Sequence, residues 1–190
     1  MKAVAATGVP TVVILVNGRP LTTEWIDENM PCIIEAWEPG VAGGQALAEI
    51  LYGKVNPSGK LPITIPRSTG QIQCMYNHKF TNHWFPYATG NSLPLYEFGY
   101  GLSYTTYKYE NLKLSEATIT PDKSVKVTVD VTNTGKMDGE ETVQLYIRDE
   151  YSSATRPVKE LKDFARIPLK AGETKEVSFT LTPEMLSYYD

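Results

Sequence analysis

The hydrophobic pattern of this chain changes along its length, and the change restricts the folds open to it. Residues 12–16 are a continuous apolar run, Val-Val-Ile-Leu-Val, which is typical of a strand buried on both faces of a parallel sheet. From Val125 onward apolar and polar residues alternate, which is typical of an antiparallel strand with one face on a core. The sequence therefore predicts an α/β region followed by an all-β region.

The first region, residues 1–66, is expected to alternate strands and helices. A short helix is predicted over Glu24–Asn29, because Pro31 disfavours the helical conformation in the residue before it. The other expected elements are a second buried strand, an amphipathic helix closed by a glycine, and a third strand that carries a proline: 32–37, 41–52 with Gly53, and 61–65. Three strands are too few for a sheet with both faces covered, so we expect only the C-terminal portion of an α/β sandwich domain here.

Residues 67–109 are predicted to form an aromatic-rich linker. A segment of this length with few regular elements is unusual for a connecting loop and is normally functional or ordered. Its high content of rings argues against disorder, so we expect the linker to pack on a surface. The aromatic and histidine residues concerned are Tyr76, His78, His83, Trp84, Phe85, Tyr87, Tyr96, Phe98, Tyr100, Tyr104 and Tyr107.

Residues 110–190 are predicted to form a β-sandwich. The alternation seen at Val125–Asn133 returns at 143–147 and at 177–181, and turn residues separate these runs. Four or five strands can be counted, whereas sandwiches of this type carry about seven. The all-β domain is therefore expected to be incomplete.

Composition and charge limit the kinds of partner that this chain is expected to bind. The formal net charge is −4, which argues against a nucleic-acid partner, and no apolar run is long enough for a membrane helix. The first residues are better explained as a helix leading into a strand than as a signal peptide, and the compartment stays open. Cys32 and Cys74 are too few for a disulfide framework, and Cys32 is expected to be a small core residue.

No complete catalytic set is apparent in the sequence. Neither His78 nor His83 is accompanied by a G-x-S-x-G nucleophile motif. Gly40-Val41-Ala42-Gly43-Gly44 lacks the ending of a phosphate-binding loop. Neither the spacing of metal-ligating residues nor any other motif predicts a metal or a cofactor.

Two carboxylates at the end of the second strand are the most notable acidic candidates. Glu35 lies within a strand of the buried type and is either hydrogen-bonded structurally or directed to a site. Glu38 follows the carboxyl end of that strand, where open α/β sheets bind their ligands. We therefore take Glu38 as a candidate ligand-contacting residue, whereas Glu24, Asp27 and Glu28 are expected to form a solvated face.

Several sequence blocks together resemble the C-terminal half of glycoside hydrolase family 3, the β-glucosidase and β-xylosidase family. The blocks, in chain order, are Asn17-Gly18-Arg19-Pro20, Glu35-Ala36-Trp37-Glu38-Pro39-Gly40, Asn56-Pro57-Ser58-Gly59-Lys60-Leu61-Pro62 and Tyr96-Glu97-Phe98-Gly99-Tyr100-Gly101-Leu102-Ser103-Tyr104. The resemblance implies part of an α/β sandwich followed by a fibronectin type III-like domain. It also implies that the nucleophilic Asp and the acid/base Glu of a retaining glycosidase belong to parts of the enzyme that this chain does not contain.

On this resemblance the chain is expected to be a C-terminal fragment of a β-glucosidase, inactive alone, whose partner is an N-terminal barrel domain and whose substrate is a β-glucoside. On the same resemblance Glu38 could contact the sugar. Tyr76, His78 and Trp84 could line a sugar cleft, because sugars stack on aromatic rings; alternatively these rings serve only to hold the domains together. Two other functions stay open, a non-catalytic carbohydrate-binding or scaffold module and one half of a complementing split enzyme. An incomplete sheet also predicts exposed strand edges and hence self-association.

Overall fold

The computed structural model describes residues 1–71, 73–79 and 91–188, and these residues divide into two units. The first, which we call the α/β unit, contains residues 1–55 and the described parts of 61–76 and 91–100. The second, the β unit, contains Asn56–Lys60, residues 77–79 and residues 101–188. The predicted boundaries of 1–66, 67–109 and 110–190 stay a prediction.

The continuous apolar runs of the α/β unit form two parallel strands, β1 at Val12–Leu15 and β2 at Cys32–Glu35. Their register pairs Val12 with Cys32 and Leu15 with Glu35. Helix α1 at Lys2–Ala5 precedes β1, and helix α2 at Glu24–Asn29 connects the two strands. The residue after α2, Met30, is extended, with φ −119° and ψ 137°, as expected of a residue before a proline.

The third helix of the unit, α3, spans Gly43–Leu51. It ends as predicted, because Gly53 adopts a positive φ of 69° and its amide donates to the Ile50 carbonyl at 2.9 Å. A glycine in this conformation is the usual way to end a helix. At the other end, a side chain at Gly43 would collide with Pro39, whose Cγ would lie 2.5 Å from the added carbon.

The prediction of a third strand at 61–65 is wrong. Only Ile65 forms an isolated antiparallel bridge, to Tyr96. The segment is nevertheless hydrogen-bonded at both ends, because the Leu61 amide donates to the Tyr100 carbonyl at 2.8 Å and the Ile65 amide donates to the Tyr96 carbonyl at 2.9 Å. Pro62 has no amide hydrogen to add to such a ladder, so the two sequence blocks pair without becoming a regular strand.

The expectation that Cys32 is a core residue is also wrong, since its side chain is exposed. Val12, which pairs with Cys32 in the register, is also exposed, at 44%, whereas Val13 is buried. In the described residues β1 and β2 pair only with each other. A parallel pair of this kind needs cover on both faces, and Val12 and Cys32 lack it here.

The β unit contains five strands within the described residues, and its alternating pattern confirms the prediction of antiparallel structure. The strands are β3 at Tyr107–Leu114, β4 at Val125–Asn133, β5 at Gly139–Ile147, β6 at Glu160–Leu169 and β7 at Thr174–Leu181. One sheet has the order β3-β4-β7 and the other pairs β5 with β6, all antiparallel. A single-turn helix, α4 at Pro183–Leu186, follows β7.

The core of the β unit lies between these two sheets. Its main cluster takes side chains from β4, β5, β6 and β7, namely Val129, Val131, Val143, Leu169, Val177 and Phe179. A second cluster, Val125, Val127 and Leu181, continues it. Every second residue of β4 from Val125 to Asn133 is buried, as a strand with one face on a core requires. In the described ranges, no helix combines the length and apolar character needed to span a bilayer.

Candidate functional site

The carboxyl ends of β1 and β2 carry a hydrogen-bonded group of polar side chains. The Asn17 amide nitrogen Nδ2 donates to Glu35 Oε1 at 3.0 Å, and the Asn17 backbone amide donates to the Trp37 carbonyl at 3.1 Å. The Asn17 side-chain oxygen in turn accepts from the Arg19 amide at 3.0 Å. Because this edge of a parallel sheet is where α/β folds place ligands, we treat it as the candidate site and call it the strand-end site.

The backbone of Trp37 is held in an uncommon conformation at this site. Its φ is 52°, in a region that bulky residues seldom occupy and that is found at functional positions. The Trp37 amide donates to Glu35 Oε1 at 3.2 Å, which helps to hold the turn. Glu35 Oε1 therefore accepts hydrogen bonds from residues that follow both strands. These contacts agree with the first of the two expectations for Glu35, a carboxylate that is hydrogen-bonded within the structure.

Glu38, the sugar-contact candidate, is exposed at the same edge. A carbon added to Gly18 would lie 2.8 Å from Glu38 Oε1, so the glycine of the Asn17-Gly18-Arg19-Pro20 turn leaves space for this carboxylate. The strand-end site thus presents a half-buried indole from Trp37 and an exposed acceptor from Glu38. A ring face and a polar acceptor are the two kinds of contact that bind a sugar.

Tyr76 lies in the α/β unit and stacks on Phe98, with ring centroids 4.2 Å apart and planes 16° apart. A second stacked pair, Tyr96 and Tyr100, has centroids 5.2 Å apart. The Tyr96 hydroxyl donates to Asp27 on α2. Burial, and then the Asp27 carboxylate, raise the pKa of Tyr96 above its ordinary value. These four rings of the linker therefore pack within the α/β unit, whereas Tyr107 packs against the core of the β unit.

His78 lies in the β unit, where its carbonyl accepts from the Val158 amide at 3.0 Å. Its ring nitrogen Nδ1 is 3.0 Å from the Lys79 carbonyl oxygen. Trp84 lies outside the described residues. The structure therefore assigns Glu38 and Tyr76 to one unit and His78 to the other, and the sugar-contact role of all four residues stays a prediction.

Sequence reasoning missed the part played by Asn56. Its Oδ1 accepts from the Ser103 hydroxyl at 2.8 Å and from the Tyr104 amide at 2.9 Å, and its Nδ2 donates to the Asp138 carbonyl at 3.1 Å. In the sequence the Asn56-Pro57-Ser58-Gly59 block contributes only to the family resemblance. The block belongs to the β unit and bonds within it to residues up to 84 positions away, as in the bond from the Thr142 hydroxyl to the Ser58 carbonyl.

Lys60, the residue after the Asn56-Pro57-Ser58-Gly59 block, belongs to a partly buried ionic group. Its ammonium lies 3.4 Å from Glu141 Oε1 and donates to the Gly101 carbonyl at 3.1 Å. The buried Glu141 carboxylate also accepts from the Tyr109 hydroxyl at 2.8 Å. Desolvation, followed by this hydrogen bond, raises the pKa of Tyr109. A side chain at Gly101 would fall 2.2 Å from the Gly59 carbonyl oxygen, which explains the glycine at position 101.

Metal binding has no support in the described part of the chain, where no cluster of three or more His, Cys, Asp or Glu side chains could hold an ion. The residues of the sequence blocks form two groups of charged side chains, the strand-end site and the Lys60–Glu141 group. The first is open and exposed, whereas the second is enclosed and satisfied by its own neighbours. Only the first is suited to contact a ligand.

Comparison with known families agrees with the resemblance seen in the motifs. Residues 1–104 match the glycosyl hydrolase family 3 C-terminal domain, and residues 141–190 match the fibronectin type III-like domain. The first match spans more than half of the chain, and this chain belongs to the family of glycosyl hydrolase family 3 C-terminal domains. The predicted family and the predicted fold class, partial α/β sandwich followed by a fibronectin type III-like β-sandwich, are both confirmed.

Relatives of known function are similar over almost the whole chain. A periplasmic beta-glucosidase of Salmonella typhimurium is 45% identical over 203 residues, a match that covers 100% of this chain and 26% of the relative. A beta-xylosidase of Formosa agariphila is 46% identical and the match covers 95% of this chain and 25% of the relative. The chain thus spans about a quarter of the length of these relatives.

Solved structures agree with the sequence matches. A β-glucosidase from Erythrobacter marinus superposes with a TM-score of 0.95 at 45% identity, covering 100% of this chain and 25% of that one. The beta-glucosidase of Listeria innocua in complex with glucose gives a TM-score of 0.94 at 38% identity, covering 100% and 28%. The fold described above is therefore the fold of a matching quarter of these larger enzymes.

Proposed function

We propose that this chain is the C-terminal part of a retaining β-glucosidase, which hydrolyses terminal non-reducing β-D-glucosyl residues, and that it does not carry the catalytic carboxylates itself. The observation that carries the proposal is the superposition on the Erythrobacter marinus β-glucosidase over the full length of this chain. A retaining glycosidase needs two carboxyl groups about 5–5.5 Å apart. At the strand-end site, Glu35 is engaged by Asn17 and Trp37 and is poorly suited to serve as one of such a pair.

Within this proposal the strand-end site is the part of the α/β unit that contacts the sugar. Glu38 would accept a hydrogen bond from a hydroxyl of the substrate, because its carboxylate is exposed beside Gly18 at the carboxyl ends of the strands. For Tyr76, His78 and Trp84 the sugar-contact role expected from the sequence is kept as part of the proposal. The stacked pair of Tyr76 and Phe98 is also consistent with a purely structural role for that ring.

A chimeric enzyme tests the proposal. The matching quarter of the Erythrobacter marinus β-glucosidase is replaced by this chain, and hydrolysis of an aryl β-glucoside is measured for the chimera and for the isolated chain. We expect activity from the chimera and none from the isolated chain. Turnover by the isolated chain would contradict the proposal, and so would a folded chimera that lacks activity.

The role of Glu38 is tested in the same chimera with a matched control. Replacing the charged acceptor by a neutral amide oxygen weakens a hydrogen bond to substrate by about 0.5–1.5 kcal/mol, so Glu38→Gln is expected to raise KM or lower kcat/KM about 2- to 10-fold. Glu28→Gln changes another exposed carboxylate, on α2, and is expected to leave both constants unchanged. Equal behaviour of the two variants would leave Glu38 without a role at the sugar.

We also infer that the isolated chain associates with itself through the α/β unit. In the described residues β1 and β2 pair only with each other, and exposed apolar side chains such as Val12 and Val16 lie at and beside this pair. Unpaired strand edges of this kind recruit further strands. Light scattering is expected to show a mass that rises with protein concentration, and a monomer at all concentrations would refute the inference.

A further inference from the structure

The direction of the Glu38 side chain depends on the backbone of the residue before it. Trp37 has a φ of 52°, a left-handed conformation that is unfavourable for a bulky L-residue. Such a conformation persists only where the surrounding structure holds it, and a relaxed Trp37 would turn the next side chain elsewhere. The contacts that hold Trp37 therefore decide where the carboxylate of Glu38 lies.

Both peptide groups of Trp37 are held by hydrogen bonds. Its amide, which belongs to the peptide before its Cα, donates to Glu35 Oε1 at 3.2 Å. Its carbonyl, which belongs to the peptide after its Cα, accepts from the Asn17 amide at 3.1 Å. Because each peptide is planar, holding the two planes holds φ and ψ together. One contact from Glu35 and one from Asn17 thus fix the uncommon conformation.

Asn17 and Glu35 also hold each other. Asn17 Nδ2 donates to Glu35 Oε1 at 3.0 Å, and this is the same oxygen that accepts from the Trp37 amide. Asn17 Oδ1 accepts from the Arg19 amide at 3.0 Å and so closes the turn around Gly18. Asn17, Glu35 and Trp37 are half-buried, so water competes less for these bonds than at an open surface. One asparagine therefore connects the turn after β1 to the turn after β2.

The two turns meet at Gly18 and Glu38. A carbon added to Gly18 would lie 2.8 Å from Glu38 Oε1 and 3.5 Å from the Glu38 carboxyl carbon. The carboxylate therefore lies against the backbone of the turn that Asn17 closes. Loss of the contacts to Trp37 would allow the carboxylate to leave this place.

We propose that Glu35 and Asn17 are positioning residues for sugar binding. Through the backbone of Trp37 they hold the Glu38 carboxylate where a substrate hydroxyl can donate to it. The inference rests on the proposed function, in which Glu38 contacts the sugar. An acceptor that is already in place loses less conformational entropy when the substrate binds. The contribution lies in binding, so KM is expected to respond and kcat to stay unchanged.

The first measurement uses the 190-residue chain and needs no turnover. Hydrogen exchange followed by NMR is expected to show the Trp37 amide protected about 10-fold or more relative to an unstructured peptide. Glu35→Ala removes the acceptor and should abolish this protection, whereas Glu35→Gln keeps an acceptor oxygen and should retain most of it. The Ala36 amide, which donates to the Leu15 carbonyl at 2.9 Å, should stay protected in both variants and reports that the strand pair is formed. Rapid exchange of the Trp37 amide in the unsubstituted chain would overturn the proposal.

The second measurement is kinetic and uses the chimeric enzyme with an aryl β-glucoside. Glu35→Ala is expected to raise KM about 2- to 10-fold with kcat unchanged, because the binding-competent position of the carboxylate becomes one of several that the turn visits. Glu35→Gln should recover most of this loss. A Gln variant as weak as the Ala variant would mean that the charge of Glu35 acts directly, and would overturn the proposal.

A double-mutant cycle separates positioning from an independent contribution. If Glu35 acts through Glu38, adding Glu35→Ala to Glu38→Ala should change KM by less than about twofold, whereas independent effects multiply. Asp27→Ala removes another hydrogen-bonded carboxylate of the α/β unit and is the matched control, which should leave KM unchanged. An active chimera with a multiplied loss in the double variant would overturn the positioning role alone. A folded chimera without activity would contradict the proposed function, so the two failures are distinct.

Discussion

The two units of this chain bury their apolar residues to very different extents. The β unit has two clusters of buried side chains, and within them Val131 and Leu169 are almost completely enclosed. In the described part of the α/β unit the buried large apolar residues are Val13, Met30 and Ile65, and neither cluster includes them. The β unit thus covers its own core, whereas the α/β unit leaves apolar strand residues exposed.

The difference follows from the hydrophobic period of each region. An alternating strand has one apolar face, and two sheets can cover each other's faces with their own residues. A continuous apolar strand has two such faces and needs a layer on each side. The α/β unit has a short parallel pair and three helices in the described residues, too little to cover both faces of β1 and β2.

The largest expected effect comes from removing the same side chain in each unit. Leu169→Ala on β6 removes a core side chain that is 1% exposed and is expected to lower the free energy of unfolding by about 2–5 kcal/mol. Leu51→Ala on α3 changes a leucine that is 43% exposed and is expected to cost about 0.5 kcal/mol or less. Urea unfolding followed by far-UV circular dichroism measures both.

Tryptophan fluorescence makes that comparison specific to one unit. Trp25 and Trp37 lie in the α/β unit and residues 101–190 contain no tryptophan. Leu169→Ala should therefore shift the dichroism transition more than the fluorescence transition. Similar losses for the two leucine variants would break the contrast drawn between the units.

A smaller effect is expected from removing one asparagine in each unit. Asn133, fully buried in the β unit, accepts from Thr105 Oγ1 at 2.6 Å and donates to the Met137 carbonyl at 2.8 Å. Asn133→Ala leaves these partners unpaired and is expected to cost about 1–3 kcal/mol. Asn17→Ala at the half-buried strand-end site is expected to cost about 0.5–1.5 kcal/mol, since water can replace part of the loss. The same urea titrations rank the two, and a larger loss for Asn17→Ala would reverse the comparison.

The smallest expected effect is a loss of stability at high pH that both units share. Burial raises the pKa of Tyr109 and of Tyr96 above the ordinary value of about 10. Above pH 10 the unfolded chain has lost these protons while the folded chain retains them. The unfolded state then binds fewer protons, so the free energy of unfolding falls as pH rises.

Urea midpoints measured between pH 8 and pH 11 test the tyrosines one by one. Tyr109→Phe and Tyr96→Phe should each flatten the decline above about pH 10, the first in the dichroism transition and the second in tryptophan fluorescence. Tyr52→Phe, on an exposed ring, is the matched control and should leave the slope unchanged. A slope that neither substitution alters would show that other groups govern alkaline unfolding.

Local features were predictable from the sequence because they depend on neighbouring residues. The bounds of α2 followed from Pro31, the end of α3 from Gly53, and the alternation of β4 from its valines. The predicted strand at 61–65 failed because Pro62 removes a donor and because its partners come from 96–100. Cys32 was placed in a core on its apolar neighbours alone, yet its burial depends on elements that do not cover it in this structure.

The candidate site was only partly predictable. The position of Glu38 at the end of β2 followed from the strand pattern, whereas the engagement of Glu35 by Asn17 required β1 and β2 to pair in register. Side chains from separate segments form a site only where the fold brings them together.

The sequence by itself determined the class of each region, the family and the local ends of the helices, since hydrophobic period and turn residues act over a few positions. The tertiary structure alone decided that Asn56–Lys60 belongs to the β unit, that Lys60 meets the buried Glu141, and that Arg156 lies on Tyr188. These contacts join residues between 32 and 82 positions apart. They form only after the chain has closed long loops, and no local pattern records which distant partner closes them.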